Sequence, residues 1–157
     1  IYPTVRQAAI HSTSIRRDKL AGPQLAELLV SSSAHNRRAA AEALGRLGNS
    51  EISSNLLQAA ERAGDRFADH SLIYALIETG DAAAVLKATS SANPFVQRAA
   101  LLALESLARA RLDSATVIKL LESDQPLLVE AAWWITRRHR DWAPSLRSYF
   151  KKRIRQG

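Results

Sequence analysis

The sequence contains no cysteine and no methionine. Without cysteine the chain has no disulfide, no thiolate metal site and no cysteine-attached haem, although the compartment is left open. No apolar run approaches the roughly 18 residues that a membrane helix needs. Because the chain begins at Ile1 and lacks methionine, we expect it to be a piece of a longer protein, with any targeting segment outside it.

Strand signals and linkers are missing as well. No segment alternates apolar and polar residues as a half-buried strand does, and no Gly/Ser-rich stretch divides the chain. The hydrophobic fraction of 46% suits a globular protein. We therefore expect a single helical domain over residues 1–157.

The stretch from Asn93 to Leu107 has the pattern of a helix with its start signal attached. Asn93 can accept hydrogen bonds from the first free N–H groups, and Pro94 suits the first helical position because its missing N–H would have no partner there. Apolar residues then recur on one helical face at 3-, 4- and 7-residue spacing: Val96, Ala99, Ala100, Ala103, Leu104 and Leu107.

The same pattern occurs five times along the chain. The positions equivalent to Val96 are Val5, Asn36, Ala68 and Leu128, and the successive spacings are 31, 32, 28 and 32 residues. Three of the five prolines stand two places before these positions. A period in this range indicates stacked helical hairpins. We predict an all-α, right-handed superhelix of five hairpins over the approximate repeats 2–32, 33–64, 65–92, 93–124 and 125–157.

Local chemistry predicts where several of these helices begin and end. Ser33 and Asp65 precede helical patterns and are expected to cap them. Gly48, Gly64 and Gly80 follow helical patterns, where glycine accepts the left-handed conformation that often ends a helix.

The segment 96–104 resembles the first helix of short HEAT-like repeats of the PBS-lyase type. The segments 65–78 and 131–139 resemble the HEAT region of large bacterial, planctomycete-type dehydrogenase-like proteins. In those proteins the repeats lie between a β-propeller and a cytochrome c domain. The resemblance implies an exported, extracytoplasmic multidomain protein, but no catalytic or haem-binding residue carries over, because no Cys-x-x-Cys-His motif is present.

The sequence offers little for a metal or a reaction. The four histidines, His11, His35, His70 and His139, lie in different repeats without ligand spacing. No glycine-rich phosphate loop follows a strand, and the serine and aspartate residues stand mostly at caps and turns. We predict no metal, no cofactor and no enzymatic activity.

The net charge of +7 is concentrated at one end. Residues 137–155 contain eight basic residues and one acidic residue, Asp141, whereas the 14 basic and 14 acidic residues of positions 1–136 cancel. The last helix, expected over about 144–155, has an apolar side that should pack on Trp133 or Ile135 and a basic side that should face solvent. This end is expected to be either a solvated cap or a surface for an acidic protein, nucleic-acid phosphate or anionic lipid.

Two adjacent tryptophans precede the basic segment. Neighbouring residues on a helix cannot both face one core, so either one fills the core while the other closes the stack, or one anchors a partner. The candidate partner-binding residues are therefore Trp133, Trp134, Arg137, Arg138, Arg147, Lys151, Lys152 and Arg155.

We expect a non-catalytic scaffold, monomeric in isolation, that binds a protein or neighbouring domain with an acidic surface through its concave face and basic end. The alternative is a nucleic-acid-binding protein of the HEAT-like DNA-repair glycosylase type. Such an enzyme would line a concave groove with aromatics, bases and a catalytic acid, whereas the sequence concentrates its excess basic residues at one end.

Overall fold

The computed structural model describes residues 2–31, 33–62, 66–107 and 112–156. Within these ranges the protein is all-α, with ten α-helices and no strand, which confirms the predicted fold class. None of the helices in these ranges combines the length and apolar character that crossing a membrane requires. The helices are α1 (Pro3–Arg16), α2 (Gly22–Leu28), α3 (Ala34–Leu47), α4 (Ser53–Ala60), α5 (Arg66–Thr79), α6 (Ala82–Ala88), α7 (Pro94–Ser106), α8 (Ser114–Lys119), α9 (Pro126–Thr136) and α10 (Ala143–Gln156).

Short 3₁₀ turns adjoin the second helix of four pairs. They span Lys19–Ala21, Ser50–Ile52, Leu120–Glu122 and Arg140–Trp142. Three of them precede their helix and the turn Leu120–Glu122 follows its helix, which is where 3₁₀ turns are common.

Side-chain caps begin several helices where the sequence predicts them. Ser33 Oγ accepts a hydrogen bond from the backbone N–H of Asn36 at 3.3 Å. The Oδ1 of Asn93 accepts from the N–H of Phe95 at 2.9 Å, and Pro94 occupies the first turn. These bonds satisfy N–H groups that have no partner inside the helix.

Asp113 caps α8 through two bonds to one residue. The backbone N–H and the hydroxyl of Thr116 both donate to Asp113, at 2.8 and 3.0 Å. These donors hold the pKa of the Asp113 carboxyl below its usual value, because they stabilise the charged form.

Gly48 and Gly80 end α3 and α5 in the left-handed region, with φ angles of 61° and 67°. A side chain is disfavoured at such angles, which is why glycine is common after a helix. Both predicted helix ends are thus confirmed. The predicted cap Asp65 and the predicted terminator Gly64 lie outside the described residues.

The long helices contact one another in chain order, from α1 to α3, α5, α7 and α9. The shorter helices α2, α4 and α6 each pack on the first helix of the following pair. The most extensive contact joins α3 and α5. Repeat boundaries, superhelical handedness and the likeness to HEAT repeats stay predictions.

The core forms two clusters that meet at α7. The larger runs from α1 to α7 and includes the fully buried Leu44, Leu56, Leu76 and Leu104. The smaller contains Val117, Leu128, Ala132, Ile135 and Trp142 together with Leu101 of α7. Helix α7 is therefore buried on two sides, although the repeat pattern predicts only the side that contains Leu104.

Helices α3 and α5 approach most closely at Gly45. A Cβ atom placed on Gly45 would lie 2.8 Å from the Cα of Ala75. Since real Cβ atoms do not come this close to backbone atoms, only glycine allows this approach. Ala40 and Ala43 of α3 and Ala75 of α5 are also buried.

Candidate functional site

Three of the long helices line an open groove of about 740 Å³. Helix α5 contributes Tyr74, α7 contributes Phe95 and α9 contributes Trp134, so each helix supplies one aromatic side chain. A volume in this range is typical of ligand-binding clefts. The remaining apolar lining consists of Ile73, Ile77, Leu102 and Ala131.

The groove follows from a second helical stripe on each helix. On α7 the groove residues are Phe95, Arg98, Leu102 and Ser106, at 3- and 4-residue spacing, which places them on one face. That face lies beside the one that buries Val96, Ala99 and Leu104. The repeat pattern predicts the buried stripe, whereas sequence reasoning missed the groove stripe. Its regular spacing is the signal that could have found it.

The groove contains charges of both signs. Arg66 and Arg98 line it, as do the carboxylates of Asp69 and Glu130. The excess basic charge of the chain lies in residues 137–155, and Arg66 and Arg98 are outside that segment. The groove therefore contains aromatic, basic and acidic residues together. The sequence pattern had argued against nucleic-acid binding because it indicated no groove of this composition.

Arg98 has an unusual position among these charges. Its side chain is half-buried and borders both the groove and a small crevice beneath it. Within the part of the chain that the structure describes, its guanidinium makes no hydrogen bond and no ion pair. A guanidinium presents five N–H donors in a fixed plane, so Arg98 has unused donor capacity that faces the groove.

Trp134 is held in place at the α9 side of the groove. The guanidinium of Arg138 lies 4.6 Å from the centre of its ring. The Nε of Arg138 donates to the Oε1 of Glu105 at 3.3 Å, and the Nε2 of His139 lies 2.7 Å from the Oε2 of Glu105. One face of Trp134 is thereby covered, and the side chain as a whole remains 43% exposed.

The two adjacent tryptophans, Trp133 and Trp134, contact different parts of the protein. Trp133 is half-buried and stacks on Phe150 of α10, with 6.2 Å between ring centres, as predicted for the apolar side of the last helix. Trp134 faces the groove. Neither of them is buried in the core; the tryptophan buried there is Trp142, which the sequence pattern did not indicate. Trp142 is buried and stacks on His139 at 4.0 Å.

The predicted basic side of α10 is exposed. Arg147, Lys151, Lys152 and Arg155 all face solvent, and the last three border a shallow depression of about 440 Å³. Arg137 is exposed at the end of α9, whereas Arg138 is engaged with Glu105 and Trp134.

The apolar side of α10 packs on α9 only in part. Phe150 stacks on Trp133 but remains 43% exposed, and Ile154 remains 80% exposed. Helix α10 packs on α8 and on the turn Arg140–Trp142, and Ser145 meets Ser114 near its first turn. The last turns of α10 extend beyond these neighbours, so the prediction was wrong for Ile154.

No group of three potential metal-ligating side chains occurs in the described ranges. His139, the one histidine held by a short polar contact among these residues, has Glu105 and Asp141 within 4 Å and no third ligand-type partner. No protein-family model matches the chain, and no curated protein matches its sequence.

Proposed function

We propose that the chain is a non-catalytic protein-binding module whose last helix docks an acidic amphipathic helix of a partner. The observation that carries this proposal is the exposed surface of α10. Phe150 and Ile154 form an apolar ridge at i and i+4, and the basic ridge beside it consists of Arg147, Lys151, Lys152 and Arg155. We call these six residues the α10 surface.

The position of α10 supports docking by a helix. In α2, α4 and α6 the i and i+4 positions of the inner face pack toward the first helix of the following pair and are buried: Leu25 and Leu29, Leu56 and Ala60, and Val85 and Thr89. The matching pair on α10 is Leu146 and Phe150. Phe150 stacks on Trp133 but is still 43% exposed, so this pair is less covered than its counterparts in α2, α4 and α6.

The chemistry of the α10 surface favours an acidic partner. A helix with an apolar stripe would cover the exposed parts of Phe150 and Ile154, and each Å² of apolar area buried contributes about 25 cal/mol before the cost of association is subtracted. Carboxylates beside that stripe would meet the basic ridge. Such charge complementarity raises the association rate and fixes the orientation more than it raises the affinity.

The experiment measures binding of a labelled, acidic amphipathic peptide of roughly 18 residues by fluorescence anisotropy. We expect Lys151→Glu with Lys152→Glu to weaken the Kd by about tenfold or more, because attraction becomes repulsion. The matched control is Lys19→Glu with Lys87→Glu, which makes the same charge change at exposed lysines far from α10. The control should change the Kd by less than about twofold.

Nucleic-acid binding is the second candidate. The observation behind it is that Tyr74, Phe95 and Trp134 come from successive long helices and line one groove with Arg66 and Arg98. Duplex DNA added to the same assay tests this candidate through salt. Each neutralised phosphate contributes about −0.9 to the slope of log affinity against log salt, so four to six contacts would abolish binding between low and physiological salt. Tight DNA binding at physiological salt that Lys151→Glu with Lys152→Glu abolishes would contradict acidic-helix docking.

A further inference from the structure

We propose that the groove between α5, α7 and α9 is a second binding site, for a short peptide segment in which a carboxylate stands next to a bulky apolar side chain. The carboxylate would accept hydrogen bonds from Arg98, and the apolar side chain would lie among Tyr74, Phe95 and Trp134. This site does not depend on the α10 surface.

Arg98 indicates the charged part of the ligand. Arg98 as a residue is half-buried at the groove, and its guanidinium makes no hydrogen bond or ion pair within the described residues. A carboxylate would supply two parallel hydrogen bonds in the plane of the guanidinium. A second arginine, Arg66, lies exposed on the same groove and adds to the attraction for an anion.

The aromatic residues indicate the apolar part of the ligand. Tyr74 is 47% exposed and Trp134 is 43% exposed, so both present large apolar area to an incoming side chain. Trp134 is also supported on one face before binding, because Arg138 lies over its ring and pairs with Glu105. Contacts of this kind reduce the conformational entropy that an anchoring aromatic side chain loses on binding.

The charge balance favours a peptide over a nucleic-acid strand. Arg66 and Arg98 are offset by Asp69 and Glu130 on the same groove, so its charged lining has no net charge. Asp69 is itself engaged in an interaction within the protein. A nucleic-acid strand carries one phosphate per nucleotide, and the carboxylates of the groove would repel these phosphates. A peptide with a single carboxylate needs only one arginine as its partner.

The test uses a fluorescein-labelled peptide of roughly eight residues that contains two glutamate–phenylalanine pairs, with binding followed by anisotropy. Arg98→Met removes the charge and keeps an unbranched stem. Arg16→Met is the matched control, since it removes an exposed arginine at the end of α1. We expect Arg98→Met to weaken the Kd by about tenfold or more, the usual effect of losing hydrogen bonds to a charged group. Arg16→Met should leave it within about twofold.

Two further arms separate a binding role from a structural one. A peptide with glutamine in place of glutamate should bind weakly to the wild type and should be insensitive to Arg98→Met. Tyr74→Ala should also weaken binding of the glutamate peptide, and because Tyr74 is exposed its removal opens no core cavity. Thermal unfolding followed by circular dichroism verifies that both variants fold.

Three outcomes would overturn the proposal. They are non-saturating binding of the peptide by the wild type, an unchanged Kd in Arg98→Met, and a preference of the groove for nucleic acid. The last is seen if an oligothymidylate of roughly ten nucleotides binds more tightly than the peptide and Arg98→Met abolishes that binding. Lys151→Glu with Lys152→Glu should not change binding of the glutamate peptide, so the groove and the α10 surface are tested separately.

Discussion

Asn36 shows at the residue scale where the repeat pattern and the physics of burial disagree. It occupies the position of Val96 in its repeat and is buried as Val96 is, with 3% of its surface exposed, although its side chain is polar. Its Oδ1 has no hydrogen-bond partner among the described residues. A buried polar atom without a partner costs roughly 1–3 kcal/mol. We expect Asn36→Val to raise the free energy of unfolding by about 1 kcal/mol, measured by urea denaturation. Lower stability in this variant would mean that the oxygen is satisfied in solution.

Leu104 and Thr13 occupy equivalent positions in different surroundings. Leu104 is fully buried in the larger core cluster. Thr13 is half-buried, and its hydroxyl donates to the backbone carbonyl of Ile10 at 2.9 Å. We expect Leu104→Ala to cost about 2–5 kcal/mol, because it leaves a cavity. Thr13→Ala should cost less than half as much, and equal losses in chemical denaturation would show that the repeat alignment is wrong.

At the element scale, the sequence predicts where helices end but does not predict how their faces are oriented toward one another. Ser33, Asn93, Gly48 and Gly80 act through hydrogen bonds and backbone angles within a few residues, so the sequence alone indicates their roles. The groove depends on how the exposed stripes of α5, α7 and α9 face one another. That relation is set by packing between helices, and no local pattern contains it.

Trp142 and Ile154 illustrate the same limit in single positions. Trp142 lies in a short 3₁₀ turn, where no helical periodicity marks it as buried. Ile154 has the right periodicity for burial but lies past the neighbours that could cover it. Periodicity thus predicts which side of a helix is apolar, and tertiary packing decides whether that side is covered.

The crossing of α3 and α5 gives a prediction about a pair of elements. In an isolated helix, replacing glycine by alanine stabilises by about 1 kcal/mol. At Gly45 the added Cβ would lie 2.8 Å from the Cα of Ala75. We therefore expect Gly45→Ala to destabilise the protein by about 1–3 kcal/mol in thermal or urea unfolding, because the two backbones must separate. A stabilising effect would show that α3 and α5 are not in close contact.

At the scale of the whole molecule, two surfaces differ in how they are built. The groove is lined by side chains from three helices and depends on their packing. The α10 surface is one helix with exposed apolar and basic ridges, so it depends mainly on that helix being present and left uncovered. The sequence therefore predicted the basic residues of α10 as candidates, whereas Arg98, Tyr74 and Phe95 were missed.

The most direct test of the proposed function is a charge reversal across the docked helices. Lys151→Glu with Lys152→Glu should weaken binding of the acidic amphipathic peptide, and a lysine-substituted version of that peptide should bind the double variant and not the wild type. Recovery of about tenfold in Kd would show that the basic ridge meets the charges of the partner. If the lysine peptide binds neither protein, or if the acidic peptide binds both equally, the α10 surface is not a docking site.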